Sequence, residues 1–96
     1  MRDRPALVVS IGTLGGDAEL LWVLMITSAA NAGWLGDVPL IDDHEACGLS
    51  VPCVIRTAKI SSIEAASAKP LGRLPDEVLG EVRSRLAETL GLPVPA

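Results

Sequence analysis

His44, Cys47 and Cys53 are the residues of this 96-residue chain best suited to nucleophilic or metal chemistry, and their spacing limits what they can do. A thiol beside an imidazole could make a nucleophile–base pair, and His44 stands three residues before Cys47. The two cysteines have five residues between them, not the C-x-x-C of a zinc or redox site, and no second histidine offers a further ligand. Both are read as small buried hydrophobes, and His44 as a surface loop residue. The stretch "GTLGGD" (12–17) is rich in glycine but lacks the Lys-Ser/Thr ending of a phosphate loop and does not run into a helical pattern. No metal or cofactor is expected. Asp37, Asp42, Asp43 and Glu45 gather in one loop that reads as solvated. Arg2, Arg4, Arg56 and Lys59 fall near the ends of expected strands, where a planar guanidinium could bind a phosphate through two hydrogen bonds. Trp22 sits inside an apolar run and is read as core. Trp34, flanked by glycine, is open to stacking on a base.

These side chains need a frame, and composition sets its character. Apolar residues make up 49% of the chain and aromatic ones 2%, so the core must be aliphatic. A single domain spanning 1–96 can bury one modest core. A chain this small and this apolar leaves hydrophobic surface over, which points to a dimer interface. The net charge of −4 gives no bulk support for nucleic-acid binding, so the distribution of charge matters more. The longest apolar run, "LLWVLMI" (20–26), is far short of the roughly 20 residues that cross a bilayer. No signal-peptide pattern is visible, and two cysteines without one fit a reducing cytoplasm.

Along the chain, "PALVVSIG" reads as a buried strand and "AELLWVLMITS" (18–28) as a longer antiparallel partner. "AANAGWLG" is a connector with room for a helical turn. "DVPLI" (37–41) is an edge strand, because Pro39 cannot donate to a ladder. "DDHEACGL" is a loop stopped by Gly48, "VPCVIRTAKI" (51–60) a strand buried at Val51, Val54 and Ile55, and "SSIEAASA" a short strand or turn. The clearest element is a C-terminal helix over 75–91. Val78, Val82, Leu86 and Leu90 form its apolar stripe, with Pro75 at its first turn. Asp76 and Glu77 suit the positive end of the helix dipole, and Gly91 and Pro93 end it. Strands followed by one helix make an α+β fold, or a small barrel capped by a helix.

Four fragments in order, "RPALVVS" (4–10), "MITSA" (25–29), "GLSVPCVIRTAKISSI" (48–63) and "LGRLPDEVLGEV" (71–82), together resemble the MazF/PemK toxins of bacterial toxin–antitoxin systems. The resemblance implies a small SH3-like β-barrel with a C-terminal α-helix, a homodimer, and a cognate antitoxin as partner. It also implies cleavage of single-stranded RNA without a metal or cofactor. A strand and loop are expected ahead of the Arg-Pro in this family, where this chain has only "MRD".

RNA cleavage of that kind uses the substrate's own 2′-OH as nucleophile, so DNA is spared. The protein must stabilise added negative charge on the phosphate and help protons move. By the resemblance, Arg4 matches the catalytic arginine of the Arg-Pro motif and Thr27 the catalytic threonine of "ITS". Pairing of their two strands would bring them to the same sheet end. Ser10 and Ser28 match positions that often carry hydroxyls and are given supporting roles in RNA binding. Arg56 and Lys59, in "VIRTAKI", either touch RNA phosphates or form a solvated strand face. The alternative is a barrel of the same family that dimerises and binds an antitoxin but cuts nothing.

Overall fold

The computed structural model describes residues 4–10 and 19–93. The glycine-rich stretch 12–17 and Arg2 therefore lie outside the described residues. Four strands, β1 (Ala6–Val8), β2 (Leu20–Ser28), β3 (Asp37–Leu40) and β4 (Cys53–Glu64), precede a single helix, α1 (Asp76–Leu90). Short 3₁₀ turns follow β2 (Ala29–Asn31) and β4 (Ala65–Ser67).

The strands form one antiparallel sheet in the order β1-β2-β4-β3. It curls into a half-barrel, and with α1 it makes the expected α+β fold. Side chains alternate across the pleat, so Leu24 and Ile26 of β2 point to the face that also carries Ile55, Val38 and Leu40. Val82 of α1 closes that core, with Val78, Leu86 and Leu74 packed at its margin. Thr27, between Ile26 and Ser28, belongs to the opposite face.

β2 and β4 do not pair in one register. Leu24 lies across from Ile60, but Met25 lies across from Arg56, so Thr57, Ala58 and Lys59 bulge out of the ladder with β2. Such a bulge bends a strand and re-aims its side chains. β3 pairs with β4 on its other side and is an edge strand, as Pro39 requires.

Helix α1 ends as its sequence demands. Gly91 adopts a left-handed φ of 71°, its N–H donates to Ala87 and Glu88, and the Leu92 N–H reaches back to Ala87. Pro75 proves to be the cap residue just before the first turn. Leu90 is 67% exposed, and Ala87 is buried in its place. Each step of four residues overshoots a turn by about 40°, so a strict four-residue stripe drifts off the core.

Three further expectations change. Val51 is exposed, because β4 begins only after Pro52 and the residues before it turn outward. β4 also continues through "SSIE" to Glu64. Trp22 is 50% exposed rather than core, since α1 packs against β3 and β4 and leaves the leading half of β2 uncovered. β1 spans three residues and only Leu7 among them is partly covered. Among the described residues no helix is long and apolar enough to cross a membrane.

Candidate active site

β1 and β2 pair Ala6 with Met25, Leu7 with Leu24 and Val8 with Val23, and the Ile26 N–H donates to the Pro5 carbonyl at 3.2 Å. Continuing that register sets Arg4 across from Thr27. Proline supplies no N–H and holds the residue before it extended, which keeps Arg4 in line with the strand. The two residues line one open groove of about 310 Å³. Ser28 adds a hydroxyl beside them, and Ser50 and Val51 form the facing wall. That wall is fixed by the tight turns over 42–48, where the Leu49 N–H donates to the His44 carbonyl. Gly48 has φ of 84°, and a Cβ there would run into the Leu71 carbonyl, so only glycine fits.

Thr27 is half-buried, and its Oγ1 accepts a hydrogen bond from Asn31 Nδ2 at 3.1 Å. The 3₁₀ turn brings Asn31 back over the strand end. Ser28 caps that turn, its Oγ accepting from the Ala30 N–H at 3.2 Å.

Beneath the turn lies a buried clasp. Arg56 is only 7% exposed. Its Nε and Nη2 donate to the Asp37 carboxylate at 3.2 and 3.0 Å, and Nη2 also donates to the Asn31 carbonyl at 2.6 Å. The guanidinium carbon sits 4.2 Å from the centre of the Trp34 ring. Asp37 further accepts from the Gly33 and Trp34 amides. The hydrogen bonds from Arg56 hold its carboxyl below the ordinary value of 3.8. Burial pulls the other way and loses, with the Trp34 amide, the Arg56 charge and the Gly33 amide adding to the lowering.

The structure thus brings Arg4, Thr27 and Ser28 together. Arg56 is not part of a solvated strand face, because it lies directly across from Asp37 in the β3–β4 ladder and is covered by the turn that carries Asn31 and Trp34. A phosphate contact through it would require the clasp to open. Lys59 is exposed in the bulge. Ser10 stands at the other end of the β1–β2 pair, its Oγ accepting from the Trp22 N–H at 3.2 Å. Trp34 presents one face to Arg56 and is half exposed. His44 Nδ1 is 2.7 Å from the Ile41 carbonyl. Burial raises the Cys47 and Cys53 thiols, with nearby Asp43 adding to the effect at Cys47, which works against a thiolate at either position.

Asn31 and Ser50 enter the site without having been singled out in the sequence. Asn31 lies four residues after Thr27, a spacing that places it over Thr27 only once the strand gives way to a 3₁₀ turn. Ser50 had no signal of its own.

A family model described as "PemK-like, MazF-like toxin of type II toxin-antitoxin system" matches residues 1–90. The chain belongs to this family. Among solved structures it resembles Mycobacterium tuberculosis toxin MazF-mt6, at 19% identity and a TM-score of 0.74, covering 94% of this chain and 88% of that one. It also resembles a chain of MazE-MazF from Deinococcus radiodurans, at 29% identity and a TM-score of 0.69, covering 94% and 87%. Comparison with curated protein sequences gives no match.

Proposed function

We propose that this toxin is an endoribonuclease that cuts single-stranded RNA in the groove between Arg4 and Thr27. The observation that carries the reading is the strand register, which delivers a permanently charged guanidinium and a hydroxyl to one open site from two separate parts of the chain. The substrate's 2′-OH attacks the adjacent phosphorus. A bond from phosphorus to O2′ forms while the bond to O5′ breaks; the 2′-OH gives up its proton and O5′ takes one as it leaves. Arg4 offsets the charge that gathers on the non-bridging oxygens, and the Thr27 hydroxyl donates to one of them. Ser28 supports this from beside Thr27. Lys59 and Ser10 lie outside the groove, where their part is to hold flanking phosphates. The toxin works as a cytoplasmic homodimer, and its cognate antitoxin occupies the same groove and excludes RNA.

The test is cleavage of a long single-stranded RNA in EDTA by the purified chain. Arg4→Ala and Thr27→Ala each lower the rate by about 10²–10³-fold, the range for loss of one charge-stabilising donor. An all-deoxy copy of the RNA stays whole. Equal cutting by parent and variants defeats the assignment. A parent that binds an antitoxin peptide and cuts no RNA supports a binding-only module instead.

A further inference from the structure

The Thr27 hydroxyl can help a phosphate only by donating its proton, so what matters is where that proton points. Asn31 Nδ2 donates to Thr27 Oγ1 at 3.1 Å. An oxygen that accepts from its neighbour keeps its own hydrogen for another partner, and accepting one bond strengthens the donation of the other. Asn31 is itself held from behind, its carbonyl taking the 2.6 Å bond from the buried Arg56, which Asp37 grips through two further bonds. The chain of contacts runs from a buried ion pair, through one backbone carbonyl and one amide, to the hydroxyl that lines the groove.

We infer that Asn31 is the positioning residue of this site, holding the Thr27 hydroxyl as a donor aimed into the groove, with the Arg56–Asp37 clasp as its anchor. The inference rests on the reading of the groove as an RNA-cleaving site. Asn31 does not itself touch the phosphate; it acts through Thr27. Because Asn31 is exposed and Arg56 binds its backbone carbonyl, replacing its side chain removes the amide and leaves the clasp in place.

The experiment compares parent, Asn31→Ala and Asn31→Asp in single-turnover cleavage of one RNA oligomer. Binding of the uncleavable all-2′-deoxy oligomer and the thermal midpoint are measured alongside. Asn31→Ala is expected to cut about 10–100-fold more slowly, the scale of a displaced reacting group, with its binding and its midpoint unchanged. Asn31→Asp keeps the size of the side chain but can only accept, so it draws the Thr27 proton away from the groove and cuts at least as slowly. Asn31→Ala cutting at the parental rate, or losing oligomer affinity by the same factor as rate, overturns the inference while the ribonuclease reading stands. A parent that cuts nothing brings down that reading, and the inference with it.

Discussion

Arg4, just ahead of β1, and Arg56 of β4 lie on either side of β2, one opposite Thr27 by continuation of the register and the other paired with Met25. Their surroundings give them different work. Arg4 is exposed at a groove, where a guanidinium keeps its donors for an incoming anion. Arg56 is buried, and Asp37, Asn31 and the Trp34 ring occupy its fork. Sequence alone could not separate the two, because the burial of Arg56 depends on the β3–β4 register that sets Asp37 across from it and on the turn that folds over it. The pairing of Asp37 with a residue nineteen positions away was equally hidden, and Asp37 read as one more acid in a solvated loop. Removing one partner of a buried pair leaves the other charge unmatched, so Asp37→Ala should lower stability by about 3–5 kcal/mol at neutral pH. Urea titration measures it. The pH dependence has a definite sign. The folded carboxyl titrates below its ordinary value of 3.8, so its contribution is complete above that value and is lost as pH falls through the lower folded one. The parent's urea midpoint should drop as pH falls below the ordinary carboxyl value of 3.8, and Asp37→Asn should lack that component of the drop.

The elements were legible in proportion to how local their causes are. The ends of α1 follow from Pro75, Asp76, Glu77 and Gly91, and the edge position of β3 from Pro39; each effect acts within a turn or a strand. The exposure of Leu90, Trp22 and Val51 is not legible locally, because it is set by where α1 lies across the sheet and where β4 begins. The turn before β3 is a tertiary matter of the same kind. Gly36 holds φ of 89°, and a Cβ there would come within 2.5 Å of Thr57 Oγ1, which donates to the Gly36 carbonyl at 2.7 Å. Alanine is strained by this backbone and displaces that hydroxyl. Gly36→Ala should therefore destabilise the protein by about 1–3 kcal/mol, seen as a lower thermal midpoint. It should also loosen the segment that presents Trp34 and Asp37. The site was half readable for related reasons. The Arg-Pro and Ile-Thr-Ser motifs point to Arg4 and Thr27, while Asn31 gains its place only from the 3₁₀ turn between them and β3.

At the scale of the whole molecule, one helix cannot cover both the β3–β4 side of the sheet and its β1–β2 side. Trp22 and Ile60 occupy diagonal positions on one face, at 50% and 52% exposure, beyond the reach of α1. A second copy burying this strip would account for an apolar fraction larger than one small core can absorb. Sedimentation should give a dimer for the parent and a monomer with unchanged circular dichroism for Trp22→Glu; a dimer that survives the substitution places the contact elsewhere. The central claim, that the groove turns the RNA's own 2′-OH against its phosphate, is tested most directly by the chemistry of the cut ends. Fragments made in EDTA should carry a 5′-hydroxyl and a 2′,3′-cyclic phosphate, and Arg4→Ala should make almost none. Fragments bearing a 5′-phosphate, or undiminished cutting by Arg4→Ala, would contradict it.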